Sequence, residues 1–199
     1  MSDPTTPPPP RSKRATRQTL RARRDALTDE ERALASRAIA AAVGALLDDR
    51  LAAGDVVALY EAKGTEVDTR AIAEHARSRG LALAYPRVVA GERILAFHAV
   101  APDELVPGAL GLREPRADAP AVEVDRIRAF VIPGLAFDTQ GGRTGWGMGH
   151  YDATLARATS AILMIGLAFE CQLVERVPRD PHDIAMTHIV TEAATHAVG

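Results

Sequence analysis

The chain has 199 residues, of which 47% are hydrophobic and 25% charged, and its formal net charge at neutral pH is −2. This composition predicts one domain with a proper core, and the slight acidity argues against general nucleic-acid binding. The single cysteine, Cys171, excludes an internal disulfide. The first residues lack the apolar segment of a signal peptide, and no apolar run is long enough to span a bilayer. We therefore expect a cytoplasmic protein that has no membrane partner.

Residues 1–11 are expected to form a disordered proline-rich tail, because their prolines disfavour a helix and they offer little to bury. Residues 12–199 are expected to form one α/β domain. Its first helix should run from Ser12 to Ala26 and is rich in arginine. Thr28 should begin a second helix, with Glu31 completing a capping box. The predicted apolar stripe of that helix consists of Leu34, Ala38, Ala41, Ala42, Ala45 and Leu46.

Short apolar runs alternate with helical patterns over the rest of the chain. A helix should begin at Asp68 or Thr69, continue through Arg79 and stop at Gly80. Strands are predicted at 56–60, 81–86, 94–100, 127–137 and 161–169, and the second and third can form a hairpin through Ala90-Gly91. This alternation predicts a largely parallel sheet covered on both faces. Ligands of such sheets usually bind beyond the carboxyl ends of the strands.

A glycine-rich loop follows the strand predicted at 127–137, and a short helical pattern follows the loop. Its glycines are Gly141, Gly142, Gly145, Gly147 and Gly149. Glycines let the backbone approach an anion, and Arg143 adds a fixed positive charge, so the loop is a candidate phosphate site. Asp152, at the start of the following helix, is placed to meet a metal that enters with phosphates. The spacing matches neither the P-loop nor the dinucleotide motif, and a flexible surface loop without a ligand is the alternative.

The first helix places Lys13, Arg14 and Arg17 close together, and Lys13 and Arg17 share one face. Such a face can bind a triphosphate. The alternatives are a solvated charged helix and a nucleic-acid arm, although no aromatic residues are interleaved for base stacking.

Three further residues are candidates because of their position in the predicted fold. Glu66 follows the first strand and could recognise an amino group of a substrate ring, while Arg87 ends the second strand and could face the same cleft. Asp183, in a loop, could share one Mg²⁺ with Asp152. Taken alone, Glu66 is more typical of a loop residue and Asp183 of a cap or turn residue, and Arg87 is equally consistent with an exposed arginine. The six histidines form no metal-binding signature, and Cys171 has no visible general-base partner.

The chain resembles the 5-formyltetrahydrofolate cyclo-ligase family over nearly its whole length after the tail. The most specific block is VIPGLAFDTQGGRTGWGMGHYD. The segment KRATRQTLRARRDALTDEER resembles the family's opening helix, and TEVDT with YPRV and the closing GLAFECQLVERVPRDPHDIAMTHIVTE follow in the family's order. The resemblance implies a three-layer α/β/α fold like that of sugar-phosphate isomerases and coenzyme A transferases. It also implies a catalytic domain that uses ATP as co-substrate and Mg²⁺ as cofactor to cyclise 5-formyltetrahydrofolate.

The resemblance assigns roles to individual residues. Arg143 and Lys13 are the expected catalytic residues, and Asp152 and Asp183 the expected metal ligands. The expected ATP-binding residues are Lys13, Arg14, Arg17, Arg143, Thr144, Gly145, Trp146, Gly147, Met148, Gly149, His150 and Tyr151. The expected folate-binding residues are Glu66, Arg87, Trp146, Gly147, Met148, Gly149 and His150.

The sequence departs from the family pattern at Thr144, where an aliphatic residue is usual, at Met148, where glycine or lysine is usual, and at His150, where tyrosine or phenylalanine is commoner. Met148 therefore lacks one possible phosphate contact, but none of these departures removes Arg143, Gly145, Gly147, Gly149, Tyr151 or Asp152. We expect a monomer whose partners are small molecules only. The rival functions are a non-catalytic folate- or nucleotide-binding regulator and a nucleic-acid-associated protein.

Overall fold

The computed structural model describes residues 13–159, 161 and 163–198, so the predicted tail lies outside the described residues. The first helix follows the arginine-rich segment as predicted, and the second follows the predicted capping box at Thr28. The α-helices are α1 (Lys13–Asp25), α2 (Asp29–Arg50), α3 (Arg70–Ser78) and α4 (His150–Leu155). Within the described residues, none of the helices combines the length and apolar character that crossing a membrane requires.

A central sheet of eight strands organises the chain. Its strands are β1 (Val56–Ala58), β2 (Ala82–Val88), β3 (Leu95–His98), β6 (Ala121–Val122), β7 (Ile127–Ile132), β10 (Leu163–Leu167), β11 (His188–Val190) and β12 (Thr195–Ala197). Their order is β12-β11-β10-β7-β1-β2-β3-β6. The five strands from β11 to β2 are parallel, whereas β12, β3 and β6 pair antiparallel at the two ends. The largely parallel sheet and the β2–β3 hairpin are therefore confirmed.

Two small antiparallel pairs lie outside the central sheet. They are β4 (Val106–Pro107) with β5 (Arg113–Glu114), and β8 (Ala136–Phe137) with β9 (Arg143–Thr144). The prediction of one strand over 127–137 was therefore wrong, because the run divides into β7 and β8. Pro133 lies between them and has no N–H to donate to a sheet ladder. The consequence is functional, since β8 and β9 enclose the start of the glycine-rich loop.

The two faces of the sheet carry separate apolar cores. The helices α2 and α3 cover one face, and α4 with its neighbouring loops covers the other, so the second helical layer is thin. The predicted stripe of α2 was wrong by about one position: Leu34 is exposed, and the buried residues are Ala35, Ser36, Ile39, Ala40, Val43, Gly44 and Leu47. Alanines occur on all sides of α2, so the apolar pattern of its sequence does not define the buried face clearly.

The helix α1 is fixed against the glycine-rich loop by its one buried apolar residue. Leu20 is fully buried and packs with Ala136 of β8 and with Val177. Residues three or four positions apart share a helix face. Burial of Leu20 therefore leaves the arginine face of α1, formed by Arg17, Arg21 and Arg24, beside the loop.

A buried carboxylate holds the start of the glycine-rich loop in place. The Oδ1 atom of Asp138 accepts hydrogen bonds from the backbone N–H groups of Gln140 (3.0 Å) and Gly142 (2.8 Å). Its Oδ2 atom accepts from the N–H of Val177 at 2.7 Å. Asp138 has no solvent exposure. Its charge is therefore neutralised by backbone dipoles that belong to two separate segments.

The residues just before β11 and just after β12 lie against the same loop. The N–H of Met186 donates to the carbonyl of Gly141 at 3.0 Å. A Cβ added at Gly141 would lie 2.6 Å from the Met186 carbonyl oxygen and 3.3 Å from Cγ1 of Val198, and its φ is +81°. A side chain is therefore excluded at Gly141 both by space and by backbone conformation.

The capping box of α2 gives a first testable prediction. The Thr28 hydroxyl accepts from the Glu31 N–H, and the Glu31 carboxylate accepts from the Thr28 N–H. We expect Thr28→Ala to lower the free energy of unfolding by about 1 kcal/mol. Denaturant unfolding followed by circular dichroism measures this change, and Arg37→Ala, at an exposed position of the same helix, is the matched control. Equal stability of the two variants would contradict the prediction.

Asp138 gives a second prediction. In Asp138→Asn, the amide NH₂ replaces one acceptor oxygen and faces a backbone N–H donor that then lacks a partner. We expect the free energy of unfolding to fall by about 2 kcal/mol, the usual scale for a buried donor left unsatisfied. Chemical denaturation at neutral pH measures it, with Asp125→Asn on the exposed surface as the control. A loss no larger than that of the control would show that Asp138 does not anchor the loop.

Candidate functional site

A cavity of about 1000 Å³ lies at the carboxyl edge of the parallel strands. Its walls include Tyr60 and Glu61 after β1, Pro86 of β2, and Pro133 after β7. This edge is where open α/β sheets usually bind ligands, since the loops after the strands converge there. The remaining lining comes mainly from α1, the glycine-rich loop, α4 and the loop around residue 182.

The arginine face of α1 and the glycine-rich loop form one wall of this cavity. The Nε atom of Arg17 donates to the carbonyl of Gly145 at 2.9 Å. A Cβ added at Gly147 would lie 3.2 Å from the Arg17 guanidinium carbon, and the φ of Gly147 is +99°, so glycine permits this close approach. Arg17 and Arg21 both line the cavity. Lys13 and Arg14 belong to α1, but their side chains lie outside what the structure describes.

Arg143 is nearly buried and points into the cavity from β9. Its Nη2 atom donates to Oδ2 of Asp152 at 3.1 Å, its Nη1 atom to the Pro133 carbonyl at 3.4 Å, and the guanidinium lies 5.6 Å from the Tyr151 ring. The Nε atom has no hydrogen-bond partner among the described residues. Burial raises the pKa of the Tyr151 hydroxyl, so this hydroxyl stays protonated at neutral pH. The arrangement offers a fixed, incompletely satisfied cation to an anionic ligand.

A cluster of possible metal ligands lies on the cavity wall. Ligand atoms of Asp180, His182 and Asp183 all lie within 4.8 Å of one another. Asp152 lines the same cavity, and its Oδ1 atom accepts from the N–H of Ile184 at 3.3 Å, next to this cluster in the chain. Carboxylate oxygens suit Mg²⁺, which usually keeps several waters and binds one or two carboxylates with phosphate oxygens. The donor set present therefore fits that ion.

Glu66 lines the cavity with a nearly buried side chain. Its Oε2 atom accepts from the N–H of Lys63 at 3.0 Å, and its Oε1 atom accepts from Nε1 of Trp146 at 3.1 Å. Nη1 of Arg24 lies 4.0 Å from the same Oε1 atom. The carboxylate is thus held by one backbone donor, one indole and one nearby cation.

The other predicted loop residues line the cavity in different ways. Thr144 is buried, and its hydroxyl has no hydrogen-bond partner among the described residues. Trp146 and Met148 are half exposed. Nδ1 of His150 lies 3.1 Å from the Arg93 carbonyl oxygen. Gly145, Gly147, Gly149 and Tyr151 complete this set.

Arg87 is not brought together with the other predicted residues. Its Nη1 atom donates to the Pro115 carbonyl at 2.7 Å and lies 3.8 Å from Oε2 of Glu114. Its neighbours Pro86 and Val88 line the cavity, whereas Arg87 does not, since successive side chains of a strand point to opposite faces. Cys171 also lies outside the cavity lining, and burial raises the pKa of its thiol.

Sequence reasoning missed two arginines of α1 and two residues of the acidic cluster. Arg21 and Arg24 lie 5.5 and 5.7 Å from the Trp146 ring centroid. The signal was present, because positions 17, 21 and 24 share one helix face. Asp180 and His182 flank the predicted Asp183, but contact between residues of one loop cannot be read from spacing alone.

Comparison with known proteins gives a consistent result. The family model described as the 5-formyltetrahydrofolate cyclo-ligase family matches residues 9–192. The chain is 30% identical over 178 residues to 5-formyltetrahydrofolate cyclo-ligase of Escherichia coli strain K12, which covers 86% of this chain and 96% of that protein. It is 38% identical over 91 residues to the protein of the same name from Mycolicibacterium smegmatis, where the match covers 45% of this chain and 47% of the relative.

Solved structures agree with the fold. The 5,10-methenyltetrahydrofolate synthetase of Aquifex aeolicus superposes with a TM-score of 0.79 and 30% identity, over 94% of this chain and 92% of that one. The synthetase of Mycoplasma pneumoniae, at 24% identity, gives a TM-score of 0.75 over 91% and 99% of the two chains and supports the fold alone. With the family model spanning most of the sequence, the chain belongs to the 5-formyltetrahydrofolate cyclo-ligase family.

Proposed function

We propose that this chain converts 5-formyltetrahydrofolate and ATP to 5,10-methenyltetrahydrofolate, ADP and phosphate, with Mg²⁺ as cofactor. The observation that carries the proposal is the shared cavity, in which the arginines of α1 and the glycine-rich loop meet and which Glu66 also lines. A cationic wall and a carboxylate in one cavity match the two substrates, because the triphosphate is anionic and the pterin ring carries N–H donors.

The chemical difficulty of this reaction is the formyl oxygen, which is a poor leaving group. In the proposed mechanism, this oxygen attacks the γ-phosphorus of ATP and ADP departs. The N10 atom then attacks the activated formyl carbon, and the C–O bond breaks to release phosphate, which also takes up the proton lost from N10. No step needs a protein nucleophile. Positioning and neutralisation of charge are sufficient for phosphoryl transfer of this kind.

Arg143 is the proposed catalytic cation. Its guanidinium is held by Asp152 and Tyr151 rather than by solvent, so its direction is fixed before the nucleotide binds. A preorganised donor of this kind stabilises charge on the transferring phosphoryl group without a cost of reorganisation. Lys13, Arg14 and Arg17 are proposed to bind the triphosphate from α1, together with the loop backbone from Thr144 to Tyr151.

Asp183 and Asp152 are the proposed Mg²⁺ ligands. Asp183 belongs to the cluster with Asp180 and His182, and Asp152 is next to that cluster through its hydrogen bond from the Ile184 N–H. Bound Mg²⁺ would neutralise part of the triphosphate charge and align its terminal oxygens. The contribution of the chain is to keep these carboxylates on the wall that also carries Arg143, since Arg143 and Asp152 are hydrogen-bonded directly.

The assignment of Arg143 is tested by Arg143→Lys and Arg143→Ala. We expect the alanine variant to lose roughly 10²-fold or more in kcat, as for removal of a preorganised donor. The lysine variant should recover only part of the activity, because lysine lacks the two-pronged geometry. Formation of methenyl product from 5-formyltetrahydrofolate and MgATP is followed by absorbance, and Arg77→Ala, on the exposed face of α3, is the control.

A wild-type protein that binds both ligands but makes no product under saturating ATP would be a regulator rather than an enzyme. Normal turnover in a correctly folded Arg143→Ala variant would remove Arg143 from the mechanism while leaving the reaction itself in place.

The metal assignment is tested by Asp183→Asn. We expect chelation with EDTA to abolish turnover in the wild type and Mg²⁺ to restore it. The variant should need roughly tenfold more Mg²⁺ for half-maximal rate, because it loses one anionic ligand of a hard cation. Asp118→Asn, at an exposed ion pair with Arg116, is the control. The same Mg²⁺ dependence in both variants would contradict a ligand role for Asp183.

A further inference from the structure

Trp146 contacts two nearly buried groups, Glu66 and Arg24, of which the proposed reaction has used only Glu66. It is the single tryptophan of the chain, it belongs to the glycine-rich loop, and 47% of it is exposed. Its indole N–H donates to Oε1 of Glu66, and its ring lies beside the guanidinium of Arg24. The exposed side chain therefore covers one carboxylate and one cation.

Arg24 is an unusual residue for the inner part of a helix face. It is 2% exposed, its Nε atom donates to the Thr65 hydroxyl at 3.0 Å, and its Nη1 atom has no hydrogen-bond partner among the described residues. A buried donor without a partner is costly, so it marks a place where a ligand acceptor is expected. Arg24 does not line the cavity, but Trp146, whose ring lies beside the Arg24 guanidinium, does.

Glu66 is the matching acceptor. Its Oε1 atom lies 4.0 Å from the unpartnered Nη1 of Arg24 and is engaged by the indole N–H. The other oxygen is engaged by the Lys63 N–H. Because only 6% of the Glu66 side chain is exposed and the indole N–H already donates to Oε1, a donor on a ligand competes with the indole for this oxygen.

We propose that Trp146 is a movable cover over a recognition pair for the pterin ring, in which Glu66 accepts from a ring N–H and Arg24 donates to the neighbouring carbonyl oxygen. In the ligand-free protein, the indole N–H holds the place of the ring N–H. The glycines on both sides of Trp146 let it move, since Gly147 already adopts a positive φ. The inference rests on the proposed function, because it takes a reduced folate as the ligand.

The cover differs from an ordinary stacking residue in the direction of its effect. If the indole competes with the substrate for Glu66, removing its N–H makes substrate binding tighter. If Trp146 only stacks on the bound ring, removing part of its aromatic surface makes binding weaker. The sign of the change in the folate KM therefore separates the two roles.

The first measurement uses the fact that one tryptophan gives one indole N–H cross-peak in a ¹⁵N–¹H correlation spectrum. We expect 5-formyltetrahydrofolate, added without ATP, to move this cross-peak, and Glu66→Gln to move it already without substrate. A cross-peak that stays in place at saturating substrate would overturn the proposal. The titration needs no turnover, so it remains decisive even if the wild type forms no methenyl product, a result that would reject the proposed function alone.

The second measurement is kinetic. We expect Trp146→Phe, which keeps a ring but lacks the N–H, to lower the folate KM by roughly three- to tenfold, the scale of one net hydrogen bond. The KM for ATP should change much less than the KM for folate. Leu34→Ala, which removes another exposed apolar side chain outside the cavity, is the control. An unchanged or higher folate KM in Trp146→Phe would overturn the cover.

Arg24 is tested in the same assay. We expect Arg24→Met to raise the folate KM by about tenfold or more, as for loss of a charged hydrogen-bond donor, and Arg24→Lys to lie between it and the wild type. Thermal unfolding shows which variants are folded. If the methionine variant does not fold, the lysine variant decides, since a wild-type folate KM in that variant would remove Arg24 from the recognition pair.

Discussion

The site depends on one contact between elements that are far apart in the chain, the hydrogen bond from Arg17 of α1 to the carbonyl of Gly145. Burial of Leu20 fixes the helix on β8, and the absence of a side chain at Gly147 lets the guanidinium approach the loop backbone. The hydrogen bond holds the guanidinium of Arg17 against the loop backbone, where both line the same cavity. Two segments that are 128 positions apart in the sequence therefore line one cavity.

The buried charged groups of the site differ in how completely they are hydrogen-bonded. Asp138, which holds the start of the loop, accepts three backbone hydrogen bonds and does not line the cavity. Arg143 and Arg24 are also buried, but each has a nitrogen without a hydrogen-bond partner among the described residues. Buried polar groups are normally paired, so the fully hydrogen-bonded Asp138 fits a supporting role, whereas the incompletely paired Arg143 and Arg24 fit the proposed binding role.

Much of the architecture could be predicted from local chemistry. The capping box at Thr28, the hairpin of β2 and β3 and the parallel sheet all follow from short-range patterns. The buried face of α2 could not, because its alanines give little contrast between the two sides of the helix. Pro133 marks the break between β7 and β8 in the sequence. The prediction followed the continuous apolar run instead and therefore gave one strand.

The candidate site was predictable where it depends on a contiguous motif and less so where it depends on tertiary contact. The loop from Arg143 to Asp152 and the arginine of α1 lie together as the sequence suggested. The link between Trp146, Glu66 and Arg24 joins three separate segments, and spacing along the chain carries no trace of it. Arg87 was predicted to face the cavity because it ends a strand there. Successive side chains of a strand point to opposite faces, so Pro86 and Val88 line the cavity and Arg87 does not.

The hydrogen bond from the Met186 N–H to the Gly141 carbonyl joins the segment before β11 to the beginning of the glycine-rich loop. Strand β12 is an edge strand, and edge strands are the elements that most readily accept an additional strand from another chain. Val198, which follows β12, donates its N–H to the carbonyl of Thr187, the neighbour of the residue that hydrogen-bonds Gly141. A strand added along β12 would therefore lie beside the segment on which the start of the glycine-rich loop rests.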